Sequence, residues 1–167
     1  MNKARLKELI DGLPKIKHFD ILRFIKADNK DLAAGGLLDE NSCGYAACVI
    51  GSMPVIHKDE NLRWSWIGFG GVEYREDGFL YEYFDVFEKF YDVNSQTAVL
   101  ICEPSLYNDL ENAQDEAIKR LNILLEQGEE KLAEYVVSEY REGGMDYHEV
   151  YEIAEYYDIP FEHKEPK

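Results

Sequence analysis

Apolar residues recur at helical spacing through the C-terminal third of the chain, and this pattern constrains the fold more than any other feature. The first run comprises Ala113, Ala117, Ile118, Leu121, Leu124 and Leu125. Steps of three and four residues place these side chains on one face of an α-helix, which we expect to end at Gly128. Two further helices are predicted over residues 129–141 and 146–158. The inward-facing residues of the last helix are predicted to be Tyr147, Val150, Tyr151 and Ala154.

Similar spacing predicts helices in most of the preceding sequence. The first predicted helix passes through Leu6, Leu9, Ile10 and Leu13 and ends at Pro14, and a short helix follows from Phe19. A third helix passes through "SCGYAACVIGS" and stops near Gly51 and Pro54. The next is lined by Leu80, Phe84, Phe87 and Tyr91, with Tyr83 and Phe90 beside them, and the last is capped by Asn94 or Ser95 and ends before Pro104. The turn-rich interval 63–76 is predicted as a loop or a short β-hairpin. The fold class is therefore mainly α, a single domain over residues 1–167 with about six or seven helices.

The charge of the chain is strongly acidic and unevenly placed. There are 34 acidic and 18 basic residues, which gives a net charge of −16. Residues 103–167 contain 18 of the acids and 6 of the bases, whereas the first thirty residues contain more bases than acids. This polarity argues against binding nucleic acid or an anionic membrane through the C-terminal half, and it suits a partner with a basic surface.

The sequence also predicts where the protein resides. No apolar run approaches the ~20 residues that span a bilayer. Charged residues interrupt the N-terminal segment, which lacks the apolar region of a signal peptide. The three cysteines form no disulfide framework, and reduced thiols fit the cytoplasm. We therefore expect a cytoplasmic protein, in the host cell if a phage encodes it.

The cysteine stretch offers a catalytic interpretation. If Ser42 caps a helix that begins near Gly44, Cys43 lies at the helix N-terminus, where the dipole favours a thiolate. His57 and Asp59 would then supply a base and its orienting carboxylate, as in a small cysteine-dependent enzyme. A metal site is disfavoured, because on one helix Cys43 and Cys48 diverge by ~140°. Packing is the favoured interpretation, with Cys48 as a compact apolar residue and with no catalytic residue, metal or cofactor.

The segment "CGYAACVIG", residues 43–51, resembles the Cys-Gly-Thr-x-x-Cys-x-x-Gly signature of a family of small, uncharacterised phage and bacterial proteins. The pair Phe19–Asp20, the element "CEPSLY" at 102–107 and the helix "AIKRLNILL" at 117–125 are also similar to that family. The resemblance covers residues 18–127 and implies a phage setting and a mainly helical fold. It implies no catalytic residue. The acidic helical segment over residues 128–160 extends beyond it.

Acidic side chains are regularly spaced in the C-terminal helices. Glu126, Glu130 and Glu134 recur every four residues, a rise of ~6 Å per step along a helix. Asp146, Glu149, Glu152 and Glu155 recur every three residues, with Tyr147 and Tyr156 among them. A compact chain of this length is ~40 Å across, and duplex DNA of that length carries ~23 phosphate charges. The net charge of −16 is of the same order.

These nine residues are the predicted partner-binding surface, and the leading hypothesis is a non-enzymatic, phage-encoded protein. It would inhibit a host defence or DNA-metabolism protein by occupying its basic surface, as a mimic of nucleic acid, without binding nucleic acid or membrane itself. Four alternatives remain open: the cysteine enzyme with Cys43 and His57, an oligomeric structural component of a phage, a ligand-sequestering protein, and an acidic surface that serves only solubility.

Overall fold

The computed structural model describes residues 1–16, 19, 48–65, 71–140 and 144–161. These residues form seven α-helices, two 3₁₀ turns and a three-stranded antiparallel sheet, in agreement with the predicted mainly helical fold with a short hairpin. None of the helices in these ranges is long and apolar enough to cross a membrane. The predicted short helix from Phe19 and the residues from Ser42 to Ala47 lie outside the described part of the chain, apart from Phe19 itself.

The first helix, α1 (Lys3–Gly12), begins at an asparagine cap and ends in a 3₁₀ turn, Leu13–Lys15. The side chain of Asn2 accepts a hydrogen bond from the backbone N–H of Arg5, which has no acceptor within the helix itself. Leu6, Leu9 and Leu13 are fully buried, which confirms the predicted apolar face.

The second helix, α2 (Val49–His57), begins after Cys48, whose backbone is extended, so the prediction of one helix from near Gly44 through Cys48 was wrong. The helix also continues past the predicted stop near Gly51 and Pro54. A proline at this place forgoes one helical hydrogen bond. The buried side chains of Val49, Ile50 and Met53 outweigh that loss, at about 1.5–3 kcal/mol for each buried aliphatic residue. The helix packs closely on α1, because a Cβ at Gly12 would come within 2.7 Å of Ile56.

The sheet contains β1 (Leu62–Ser65), β2 (Gly71–Glu76) and β3 (Phe79–Glu82), in that order. Asp77 and Gly78 join β2 to β3 with φ angles of 50° and 84°, the left-handed pair of a type I′ hairpin turn. The turn returns the chain along β2, so Leu80 lies in a strand and Tyr83 precedes the next helix. The prediction of helix for these two residues was wrong, because the turn overrides the apolar spacing.

The next two helices agree with the sequence. Helix α3 (Phe84–Tyr91) buries Phe87, Phe90 and Tyr91. Helix α4 (Ser95–Cys102) begins at Asn94, whose side chain accepts from the N–H of Thr97, and it ends before the 3₁₀ turn Pro104–Leu106.

The three C-terminal helices are α5 (Ala113–Gln127), α6 (Glu129–Ser138) and α7 (Tyr147–Tyr156), in the order predicted. Gly128, with φ of 93°, separates α5 from α6. Helix α7 buries Val150, Ile153 and Ala154, whereas Tyr151 is 46% exposed. The prediction that Tyr151 faces inward was wrong, because Ile153 and Ala154 complete the apolar stripe that begins at Val150.

One connected hydrophobic cluster contains residues from all seven helices and from the sheet. Residues of α6 and α7, such as Leu132 and Val150, belong to the same cluster as Leu6 of α1. The acidic extension predicted from residue 128 onward is therefore packed into the core through its apolar faces, which leaves its polar faces outside.

Candidate functional site

All nine residues of the predicted partner-binding surface lie in the part of the chain that the structure describes. Glu126 is in α5, Glu130 and Glu134 are in α6, Asp146 caps α7, and Tyr147, Glu149, Glu152, Glu155 and Tyr156 are in α7. All seven carboxylates except Glu149 are exposed. Helices α6 and α7 pack against each other, so the acids of α6 and α7 belong to neighbouring helices.

The predicted continuous row Glu126, Glu130 and Glu134 is not formed. Gly128 ends α5 and precedes α6, with a backbone conformation, φ 93° and ψ −178°, that a helix does not contain. The four-residue spacing therefore crosses from one helix to the next, and Glu126 belongs to a different helix from the other two. Glu134 forms an exposed ion pair with Lys131 at 2.5 Å.

Four of the predicted carboxylates are exposed and have no hydrogen bond or ion pair within the described residues. They are Glu126, Glu130, Glu152 and Glu155, which we name the outer carboxylates. No described donor or basic side chain engages them, so within the described part of the chain they are exposed to a cationic group from outside.

Asp146 has a different position, because its side chain caps α7. Its carboxylate accepts from the N–H groups of His148 and Glu149 at 2.8 and 3.3 Å. Its own backbone N–H donates to the carbonyl of Ser105 at 2.7 Å and joins α7 to the 3₁₀ turn. Asp146 therefore stabilises the start of the helix, and its charge is already shared with backbone donors.

Glu149 is half-buried among other carboxylates. Burial raises its pKa, and the like charges of Glu103, Glu152 and Asp146 raise it further. The structure thus brings Glu149, Glu152 and Asp146 together and adds Glu103, which sequence spacing along α7 could not identify. A cation placed here would relieve repulsion between these charges.

Other acids of this half are held by internal partners. Glu129 accepts from the backbone N–H and the side-chain Nδ2 of Asn94, at 3.3 and 2.6 Å. Glu116 accepts from the Arg120 Nε and the Tyr135 hydroxyl, both at 3.0 Å. We name Glu116, Glu129 and Asp146 the anchored carboxylates.

The three bases of this half that the structure describes are occupied. Arg120 is fully buried, donates to the carbonyls of Leu100 and Leu106, and lies 4.0 Å from the Tyr107 ring centre. Lys119 lies over the Tyr135 ring at 4.4 Å, and Lys131 pairs with Glu134. No described base therefore neutralises the outer carboxylates.

Sequence reasoning also missed an acidic cavity of ≈ 280 Å³ beside the start of α5. Its lining residues are Asn108, Asp109, Asn112, Asp115, Glu116, Lys119 and Glu139. The Asn112 side chain donates to Asp109 at 2.6 Å and helps to lower the pKa of that carboxyl. The only sequence signal was the alternation of Asn with acids in "NDLENAQDE", which also marks an ordinary turn.

The two predicted tyrosines differ in exposure. The Tyr147 ring contacts Tyr140 at 6.1 Å and Phe161 at 5.8 Å between ring centres, and it is half-buried. Tyr156 is 59% exposed and contacts the Tyr157 ring. Tyr156 therefore presents an aromatic surface beside Glu152 and Glu155, whereas Tyr147 has a larger packing role.

The alternative site with Cys43 and His57 gains no support. Cys43 lies outside the described residues. The buried His57 ring is within hydrogen-bond distance of Glu8 at 3.1 Å through Nδ1 and of the Tyr91 hydroxyl at 2.6 Å through Nε2. Burial lowers the His57 pKa, and Asp59 pairs with Arg5 instead of orienting the imidazole.

The two described cysteines are buried, as the packing interpretation predicts for Cys48. Cys48 precedes α2, and Cys102 ends α4. Burial raises the pKa of the Cys102 thiol, which disfavours the nucleophilic thiolate. Within the described ranges no group of three or more His, Cys, Asp or Glu side chains is arranged to hold a metal ion.

Comparison with protein-family models, with curated proteins and with solved structures finds no match to this chain. The charge, exposure and contacts of the site residues are therefore what indicate a function. These favour the outer carboxylates together with Glu149 and Tyr156, on the exposed side of the C-terminal helices.

Proposed function

We propose that this protein binds a partner with a basic surface through the outer carboxylates of α5, α6 and α7, and that binding inhibits the partner by occupying that surface. The observation that carries the proposal is the separation of the carboxylates into anchored and outer groups. Glu116, Glu129 and Asp146 have donors inside the fold, whereas Glu126, Glu130, Glu152 and Glu155 face solvent without a described counter-ion. A surface left in this state attracts cations.

The partner's expected chemistry follows from that surface. Lys and Arg side chains would pair with the outer carboxylates, and an Arg guanidinium could also stack on Tyr156, which is 59% exposed. A groove that binds nucleic acid presents such side chains. Occlusion by mimicry of the phosphate backbone is therefore the proposed mechanism, and binding should weaken as salt screens the charges.

The proposed setting is a phage protein that acts on a host defence or DNA-metabolism protein. The setting rests on the resemblance of residues 43–51 to the signature of small phage and bacterial proteins. The acidic surface supports the class of target, since DNA-processing proteins carry basic grooves.

The test compares three tagged proteins in capture from a bacterial lysate, washed at low and at moderate salt. The first is the parent. The second carries Glu126→Gln, Glu130→Gln, Glu152→Gln and Glu155→Gln. The third is a matched control with Asp11→Asn, Glu60→Gln, Glu111→Gln and Asp115→Asn. Both variants lose four charges from the net −16, and all eight positions are exposed.

A partner that is retained by the parent and the control but lost by the outer variant would support the proposal. The parent should then displace a labelled DNA duplex from the purified partner, and the outer variant should fail to do so. Equal retention by all three proteins would contradict the assignment of the site. Capture without displacement of the duplex would contradict the mimicry.

A further inference from the structure

Strand β3 (Phe79–Glu82) forms an open edge of the sheet. The strand order β1–β2–β3 places it at the end, paired on one side with β2 only, among the described residues. Phe79 is 67% exposed and Leu80 is 47% exposed. Edge strands with exposed apolar side chains are the surfaces to which another strand can be added.

The register shows which backbone groups face the open edge. Arg75 pairs with Leu80, and the Arg75 N–H donates to the carbonyl of Asn61, on the side away from β3. Arg75 and Leu80 are therefore a pair without mutual hydrogen bonds, and the N–H and C=O of Leu80 point away from β2. Glu82 lies two residues further and has the same orientation. Leu80 and Glu82 thus offer two donors and two acceptors to an incoming strand.

The side chains along this edge define the chemistry of that strand. Phe79 and Tyr81 lie on one face of β3, and Leu80 and Glu82 lie on the other. Residues 75–89 contain five acids, Glu76, Asp77, Glu82, Asp85 and Glu88, against the two bases Arg75 and Lys89. A complementary strand therefore has apolar residues toward the aromatic face, and it has Lys or Arg opposite Glu82.

We propose that β3 accepts an extended, basic segment of a partner protein as a fourth strand of the sheet. A second copy of this chain fits the edge less well, because it would bring the same carboxylates into contact with themselves at a net charge of −16 per copy. The proposal does not rest on the outer carboxylates, which are on other elements.

The test uses synthetic peptides as the probe, one alternating valine with lysine and one alternating valine with glutamate. Titration of the full chain is followed by amide chemical shifts. The valine–lysine peptide should shift the Leu80 and Glu82 amides and slow their hydrogen exchange. The variant that lacks the outer carboxylates should behave like the parent here, which separates this proposal from the previous one.

Leu80→Pro is the decisive variant, because proline removes an outward N–H while the bonds of Phe79 and Tyr81 to β2 remain. We expect it to raise the dissociation constant by about tenfold or more, whereas the matched Leu80→Ala keeps the N–H and should raise it by only about threefold. Equal losses of affinity in the two variants would mean that the peptide contacts only the Leu80 side chain, and this result would overturn strand addition.

Glu82→Lys keeps the test valid if Leu80→Pro disrupts the hairpin. This variant should weaken binding of the valine–lysine peptide and strengthen binding of the valine–glutamate peptide. Equal binding of both peptides by the parent would overturn the basic character of the occupant. Concentration-dependent dimers that Leu80→Pro abolishes would overturn the choice of partner in favour of a second copy.

Discussion

The inner and outer sides of the C-terminal helices carry the same kind of side chain in opposite surroundings. On the inner side, Glu116 contacts Arg120 within α5 and Tyr135 of α6, and Glu129 contacts Asn94 at the start of α4. On the outer side, Glu126, Glu130, Glu152 and Glu155 have no described partner. The acidic residues of this half therefore fall into two groups: some accept hydrogen bonds within the fold, and the outer carboxylates have no partner among the described residues.

The largest loss of stability is expected for a substitution on the inner side of the C-terminal helices. Arg120→Met should lower the free energy of unfolding by about 3–5 kcal/mol, because it leaves Glu116 and the carbonyls of Leu100 and Leu106 without their buried donor. Urea unfolding measures this change. The matched variant Lys119→Met alters the neighbouring exposed cation and should have little effect. Similar losses in both variants would contradict the distinction between the two sides.

Gly128→Ala tests the break between α5 and α6 that brings Glu129 to Asn94. A φ of 93° with a ψ of −178° is a conformation that glycine alone adopts readily, so alanine should cost about 1–3 kcal/mol although no atom lies within 4 Å of the new Cβ. Thermal or urea unfolding gives the value. Gln127→Ala places the same residue one position earlier, inside α5, and is the control that should be nearly neutral. An equal loss of stability in both variants would show that the backbone conformation of Gly128 is not the cause.

Glu129 and Glu130 provide the sharpest pairwise comparison, since they are adjacent and chemically identical. Glu129→Ala should lower the free energy of unfolding by about 1–2 kcal/mol, because Asn94 loses a charged acceptor for two hydrogen bonds. Glu130→Ala should change it by less than about 0.5 kcal/mol. If the two variants were equally destabilised, Glu130 would have a structural role that the described contacts do not contain.

Glu149→Gln should have the smallest effect, and of opposite sign. The folded-state pKa of Glu149 is raised, so its charge disfavours folding once the pH exceeds that pKa. The variant should therefore be more stable than the parent at neutral pH, by less than about 1 kcal/mol, and the gain should vanish as the pH falls below the ordinary glutamate range. A gain that persists in acid would exclude the electrostatic cause.

Helix positions could be predicted from the sequence where caps and apolar spacing agreed. Asn94 at the start of α4, Gly128 at the end of α5 and Asp146 at the start of α7 all occur where they were predicted. The prediction failed at Leu80, because the Asp77–Gly78 turn creates a strand within apolar spacing that suits a helix. It also failed at Pro54, where burial of Val49, Ile50 and Met53 sustains the helix.

The candidate site could be predicted only in part. Sequence spacing identified Asp146 and the outer carboxylates but not Glu129, because Asn94 reaches Glu129 only through the tertiary fold. The pair of Glu116 with Arg120 is different, since it lies within α5 at i,i+4 spacing and could have been found from the sequence. Glu103 approaches Glu149 through the tertiary fold, across a turn and a helix that are distant in sequence. The binding of a basic partner remains a prediction that the capture experiment tests.

The most direct test of the central claim is a urea unfolding comparison between two multiple variants. One replaces the outer carboxylates Glu126, Glu130, Glu152 and Glu155 by Gln, and the other carries Glu116→Gln, Glu129→Gln and Asp146→Asn. If the outer acids have no structural role, the first variant should be as stable as the parent or more stable, while the second should lose about 2 kcal/mol or more. A loss in the first variant as large as in the second would contradict the division of the carboxylates, and with it the proposed binding surface.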